Sequence, residues 1–320
     1  MKQISIIGGN GFLGRVLSNQ LDKENIKHKI YDINTSSDCT NFKFCDVTDE
    51  KSLNSLEKNS IIINLAAVHR DDVKPVSRYD EVNIDGARNI CKVARKKNIN
   101  TIIFTSSVAV YGFAKPDTDE NGDINYFNDY GRTKYFAEKE YIKWFNESPK
   151  LRNLIIIRPT VIFGKDNEGN VFNLLNQIAN RRFIMFGNGK NVKSMAYVEN
   201  VAEFIKFIIK SELKGFRKYN YIDKPDLNMN DLVSLTRKYL FGKDDVGIRL
   251  PSIIGFLIGA FADVIAMIIR RPLPVSKIRV KKFMSTTSFS TSVNKTGFVP
   301  NFSLRDGLFK TLNHEFVDKD

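Results

Sequence analysis

Tyr130 and Lys134 stand four residues apart in Tyr130-Gly131-Arg132-Thr133-Lys134, and Ser107 lies 23 residues before the tyrosine, closing the run Ile102-Ile103-Phe104-Thr105-Ser106-Ser107. Residues four apart share one face of a helix, so this spacing sets a phenol beside an ammonium. A free tyrosine, with a pKa of about 10, is a poor base near neutrality; a fixed cation beside it favours the phenolate and lowers that value. A phenolate so placed can take a hydroxyl proton while a hydride leaves the same carbon. Alone, the spacing favours an exposed helical pair, and the chemistry needs a hydride acceptor.

The N-terminus supplies a place for one. Ile4-Ser5-Ile6-Ile7 runs directly into Gly8-Gly9-Asn10-Gly11-Phe12-Leu13-Gly14, an apolar strand followed by Gly-x-x-Gly-x-x-Gly and an amphipathic stretch. Glycines let the chain turn tightly and bring its backbone against a pyrophosphate, while the following helix points free N–H groups at that anion. Asp32 ends the next apolar run, 18 residues after Gly14. A carboxylate there accepts hydrogen bonds from the ribose hydroxyls and repels a 2′-phosphate, which selects NAD over NADP.

These residues need a scaffold, and the pattern around them describes one. Apolar runs near 3–7, 28–32, 42–45, 60–65, 101–106 and 154–158 alternate with helical patterns near 12–23, 49–57, 79–97 and 129–146. Such alternation predicts an α/β fold, a Rossmann-like doubly wound parallel sheet covered on both faces. Beyond Pro159 the order loosens, with helices expected near 170–180, 198–211, 228–240 and 252–270 and a polar tail after 276. The division expected is an NAD-binding domain over 1–165 and a smaller C-terminal substrate lobe over 166–320.

Taken together, the glycine motif, Ser107, Tyr130 and Lys134 resemble the extended short-chain dehydrogenase/reductase family, in its NAD-dependent sugar epimerase and dehydratase branch. The resemblance covers nearly the whole chain. It implies that Gly8, Gly11, Phe12, Leu13 and Gly14 line the pyrophosphate, and that Asp46 and Val47 lie beside the adenine. It places Leu65, Ala66 and Ala67 along the dinucleotide and Asn83 on the following helix. Ser107 then matches the hydroxyl that polarises the reacting oxygen, Tyr130 the base, and Lys134 the residue that binds ribose and tunes the tyrosine.

Dehydratases of this branch carry an Asp-Glu pair directly after the catalytic hydroxyl residue, where this chain has Val108 and Ala109. A net reductase usually draws on NADPH and prefers a basic residue where Asp32-Ile33-Asn34-Thr35 stands. Redox-neutral epimerisation at C4 with recycled NAD fits better. His69 to Val73, Phe104 to Gly112, Tyr219 to Asn230 and Arg279 to Phe283 are further similar to bacterial epimerases that interconvert N-acetylglucosamine and N-acetylgalactosamine on undecaprenyl diphosphate, in surface-polysaccharide (O-antigen) assembly. That likeness places Asn170 and Lys193 toward a diphosphate-linked N-acetylhexosamine. Lys193 stands where relatives have Arg, so it supplies charge without a bidentate fork. A UDP-N-acetylglucosamine 4-epimerase and a non-catalytic NAD-binding subunit are the alternatives. Family practice implies a homodimer through the helices near 79–97 and 129–146.

Composition narrows the remaining choices. With 320 residues, 42% of them hydrophobic, the chain can bury a sizeable core. Its three cysteines lack the spacing of a disulfide framework or zinc site, and no His-Glu-x-x-His occurs, so no metal is expected. The N-terminal apolar run is too short for a signal peptide, which suggests a cytoplasmic protein. The net charge of +13 comes without a nucleic-acid recognition motif, so no nucleic-acid partner is expected.

Within residues 248–283, Ile253 to Ile269 holds a single charge, Asp263, between Arg249 and Arg270-Arg271. On a helix, Gly255, Gly259, Ala262, Asp263 and Ala266 share one face, and Ile254, Leu257, Ile258, Phe261, Val264, Ile265 and Ile268 the other. The small face suits close packing on the protein. The bulky face and basic flanks suit peripheral contact with an anionic membrane, at the cytoplasmic face of the bacterial inner membrane. A core helix with a basic edge is the competing reading.

Overall fold

A computed structural model describes residues 2–35, 41–70, 72–211, 213–269 and 276–318. Cys39, Asp71, Arg270 and Arg271 lie outside the described residues. Seven parallel strands form one sheet: β1 (Ile4–Ile7), β2 (His28–Asp32), β3 (Phe42–Phe44), β4 (Ile61–Asn64), β5 (Thr101–Thr105), β6 (Asn153–Pro159) and β7 (Phe216–Tyr221). Their spatial order is β7-β6-β5-β4-β1-β2-β3, so the chain reverses direction across the sheet between β1 and β4. In sheets of this kind the crevice at such a reversal, at the carboxyl ends of the strands, is the ligand site. The glycine loop follows β1 and leads into that crevice.

The apolar runs are continuous because both faces are covered. Ile6, Ile63, Ile103 and Ile155 enter one buried cluster, while their neighbours Ile7, Ile62, Ile102 and Leu154 enter the other. Helix α1 (Phe12–Lys23) packs on the first face. On the second lie α2 (Gly86–Lys96) and α3 (Asp129–Asn146), with Ile90, Ala94, Ala137, Tyr141 and Trp144 buried. Helices α4 (Asn170–Ala179), α5 (Val198–Ser211), α6 (Met229–Phe241) and α7 (Ser252–Ile269) then appear close to their expected positions.

Two expectations change. The division at residue 166 is not a clean cut, because α5 packs on α1 and β7 pairs with β6 (Tyr219 opposite Ile157), so the chain returns to the sheet after leaving it. Nor is the segment after 276 a tail. It forms α8 (Lys277–Met284), then crosses the body, where Ser292 N donates to Glu120 Oε1 at 2.8 Å. It goes on to α9 (Leu304–Leu312), which buries Leu304, Leu308 and Leu312 behind a Ser303–Asp306 capping box. Leucines at i, i+4 and i+8 put all three on one face, which is why this helix holds to the core.

Helix α7 orients as its wheel predicts. Gly255, Gly259 and Ala262 are its buried residues, and Leu257, Phe261 and Ile268 are 65%, 68% and 72% exposed.

Candidate active site

Gly8 follows β1 at φ +76°, and a Cβ there would lie 2.5 Å from Ala66 N. The turn and the Leu65–Ala67 segment therefore close on each other only because position 8 lacks a side chain. Asn64 steadies that segment: its Oδ1 accepts from Ala66 N at 3.1 Å, and its Nδ2 donates to Tyr141 Oη at 2.8 Å. A Cβ on Gly14 would come 2.5 Å from Gly9 O, so α1 starts hard against the loop. Gly11 caps α1 without a side-chain hydrogen bond, leaving its first amides to an anion.

Asp32 is nearly buried at the end of β2, its carboxylate accepting from Asn10 N and Asn34 N, both at 3.0 Å. It thus sits directly beside the glycine loop. Asp46 Oδ1 accepts from the Thr48 amide and hydroxyl, and Val47 packs on Gly86. Phe12 and Leu13 open α1, with Leu13 turned into the core.

Asn83 belongs to a π-helical stretch, Asp80–Asp85, ahead of α2. It exchanges hydrogen bonds with the Val68 backbone (2.9 and 3.0 Å) and donates to Thr133 Oγ1 at 2.9 Å, tying the strand-end segment to α3. π-helical insertions recur where one side chain must be re-aimed.

Ser107 and Tyr130 are brought together by two elements whose contact is unusually close. Ser107 caps a short 3-10 turn, Val108–Tyr111, its Oγ accepting from Ala109 N at 3.1 Å. Tyr130 and Lys134 lie on the first two turns of α3, which Asn128 caps through Gly131 N at 2.9 Å. A Cβ on Gly131 would fall 2.4 Å from Ala109 O, so α3 meets the Ser107 turn only with glycine there. Neither Gly131 nor Asn128 was singled out from sequence. The cap was readable, as Asn before a helical run, whereas the glycine's role depends on a partner 22 residues away.

Lys134 is buried, its Nζ 4.4 Å from the centre of the Phe104 ring on β5. Burial pulls its pKa down to about 7, against a smaller opposing effect from Glu138. Glu138 is itself paired with Arg158 at 2.5 Å inside the core. Just before Ser107, the hydroxyls of Thr105 and Ser106 are buried without a hydrogen-bond partner, among the few such groups in the described residues. Buried polar groups are normally satisfied, so these two fit a site completed by a polar ligand. Together with the glycine cradle and the Asp32 carboxylate, the residues present fit NAD.

Lys193 points elsewhere than at an open cleft. Its Nζ donates to Lys282 O at 2.9 Å and Ser285 O at 2.6 Å, holding the C-terminal end of α8, and burial lowers its pKa to about 8. Asn170 is exposed at the first turn of α4. The structure thus sets Ser107 after β5 and Tyr130 and Lys134 on the first turns of α3, which meets the Ser107 turn through Gly131, and leaves Asn170 at the surface.

Comparison with known proteins gives a consistent picture. The profile of the NAD dependent epimerase/dehydratase family matches residues 4–221. The chain is 44% identical to the N-acetyl-alpha-D-glucosaminyl-diphospho-ditrans,octacis-undecaprenol 4-epimerase of Escherichia coli O157:H7, over 98% of this chain and 95% of the relative. Its fold matches the UDP-glucose 4-epimerase of Thermus thermophilus, solved with NAD, at a TM-score of 0.73 and 16% identity over 98% of both chains. A MoeE5 structure with UDP-glucuronic acid and NAD matches at 0.74 and 17% identity, again over 98% of both.

Proposed function

The chain belongs to the NAD dependent epimerase/dehydratase family, and from that premise we propose that it inverts C4 of an N-acetylhexosamine carried on undecaprenyl diphosphate, interconverting N-acetylglucosamine and N-acetylgalactosamine. The observation that carries this reading is the near full-length 44% identity to an epimerase named for that substrate, in a chain that carries Ser107 after β5 and Tyr130 and Lys134 on the first turns of α3. Bound NAD supplies a hydride acceptor and donor, so that C4 becomes a ketone and then an alcohol again. Tyr130 takes and returns the hydroxyl proton, Ser107 hydrogen-bonds the reacting oxygen, and Lys134 holds the ribose and favours the phenolate. Val108 and Ala109, both apolar, leave no carboxylate beside Ser107 to expel water. The reading places the protein as a homodimer at the cytoplasmic face of the membrane, with α2 and α3 forming the shared surface. To test the substrate, NAD-loaded protein is incubated with N-acetylglucosaminyl-diphospho-undecaprenol or with UDP-N-acetylglucosamine, and the sugar is released and identified. N-acetylgalactosamine from the lipid-linked substrate is expected; conversion of the UDP-sugar alone would overturn the carrier.

Asp32 sets the cofactor. Its carboxylate is fixed by two backbone amides and cannot easily swing away from a 2′-phosphate, and like charges so placed cost several kcal/mol. Wild-type protein is therefore expected to bind NAD at least about tenfold more tightly than NADP by calorimetry, about 1.4 kcal/mol or more. Equal affinities would remove this role.

Lys134 makes the stability of the cofactor-free protein depend on pH. Its pKa is about 7 when folded and returns toward 10.5 on unfolding, so between these values the unfolded chain binds the extra proton. Stability then rises with pH across that window and gains nothing from this group below it. Lys193, lowered to about 8, contributes with the same sign. In urea titrations at several pH values, the midpoint of the wild type should climb more steeply than that of Lys134→Met. Parallel profiles would show that the buried lysine is not the source.

A further inference from the structure

Two exposed aromatic rings sit where the chain enters and leaves the catalytic elements. Phe113 lies six residues after Ser107 and Phe127 three before Tyr130. Their ring centres are 5.0 Å apart, and the side chains are 44% and 45% exposed. Gly112 lets the first of them turn outward: it adopts φ +63°, and any Cβ there would collide with Asn125 O. The pair thus stands on the two loops that flank the Ser107 turn and the start of α3, and each ring stays partly exposed.

Helix α8 lies over this pair. Lys282 Nζ is 4.1 Å from the centre of the Phe127 ring, and Lys281 Nζ 5.6 Å from that of Phe113. A cavity of about 310 Å³ opens between Gly112–Ala114 and the segment from Lys281 to Phe289. The end of α8 is fixed there by Lys193, and its start by Asp263 of α7, which accepts from Lys277 N at 3.0 Å. Ile278, one turn before Lys281 and Lys282, is also exposed. Apolar surface therefore lies on the ring pair, on α8 and on the outer face of α7, with two ammonium groups between the rings and the helix.

We propose that the Phe113–Phe127 pair, with Lys281 and Lys282, grips the isoprenoid-diphosphate part of the substrate and sets the preference for a lipid carrier. This rests on the reading of a lipid-linked sugar given above. An isoprenyl diphosphate is an apolar chain joined to two phosphates, and it matches flat apolar rings bordered by cations. An ammonium over a ring keeps N–H groups free to meet a phosphate oxygen. The first isoprene unit then lies on the rings, and the chain continues toward the exposed face of α7.

The test uses the full-length, NAD-loaded protein and two soluble substrates, N-acetylglucosamine diphosphate carrying a farnesyl group and the same diphosphate carrying a methyl group. Neither requires a membrane. The Phe113→Ala/Phe127→Ala variant should lower kcat/KM for the farnesyl substrate by about tenfold or more while changing the methyl substrate less than about twofold. Thermal melting and NAD affinity are the controls for folding, and the single Phe113→Ala variant serves if the double one melts early. An unchanged farnesyl-to-methyl ratio, or an equal loss on both, would overturn the proposal while leaving the lipid-linked reading intact. Wild-type protein that turns over UDP-N-acetylglucosamine but neither of these substrates would overturn that reading instead.

Discussion

Replacing Tyr130 with phenylalanine is expected to lower epimerisation by at least about 10²-fold while NAD still binds. The substitution keeps the ring and removes the hydroxyl alone. The contacts that hold the first turn of α3, the Asn128 cap and the approach of Gly131 to Ala109, do not involve that hydroxyl. Lys134 remains beneath, over Phe104. The loss should therefore fall on kcat with little change in KM, as for an interaction made in the transition state. Steady-state kinetics with NAD binding as a control decides it, and turnover near the wild-type value would remove Tyr130 from the proton transfer.

The second large effect concerns α7. Its 18 residues span about 27 Å, short of a hydrocarbon core of about 30 Å. Its inward face is already occupied, because a Cβ on Gly255 would touch the Phe186 ring at 3.0 Å and one on Gly259 the Lys277 backbone at 2.9 Å. Asp263, its one charge, is used to hold α8. Leu257 and Phe261 project outward, and burying each is worth about 1.5 to 3 kcal/mol. Leu257→Glu/Phe261→Glu should thus weaken binding to liposomes containing anionic lipid by about 10²-fold or more in flotation assays. High salt should release only the part due to lysine and arginine. Wild-type protein that stays with the soluble fraction would place the bulky face against another protein surface.

Six strands of the sheet could be read from sequence: burial on both faces makes β1, β4, β5 and β6 plain apolar runs, while β2 and the edge strand β3 keep apolar residues around Lys29 and Lys43. β7 could not: Phe216 to Tyr221 mixes Arg217, Lys218 and Asn220 with aromatic residues, and its polar groups are satisfied inside the fold, as where Tyr111 Oη donates to Asn220 Oδ1 at 2.8 Å. The stretch after 276 reads as a polar tail for a similar reason. Its hydroxyls and amides instead meet Glu120 and Ser194 of the body. The glycine loop, Asp32, Ser107, Tyr130 and Lys134 stand out in the sequence because each role proposed for them demands one residue type at a fixed spacing. The π-helical turn that aims Asn83, and the contact that requires Gly131, depend on partners distant in sequence. Lys193 shows the limit of reading charge alone, since its ammonium is spent on the carbonyls that end α8. The outward face of α7 was legible from its wheel, since small and bulky residues segregate cleanly along it.

The most direct test of C4 inversion by hydride removal and return uses N-acetylglucosaminyl-diphospho-undecaprenol carrying deuterium at C4 of the sugar. After conversion by the NAD-loaded protein in ordinary water, the N-acetylgalactosamine released is expected to keep its deuterium at C4, seen by mass spectrometry and NMR. Deuterium lost to the solvent, or the absence of any inverted product from the lipid-linked sugar, would contradict the account.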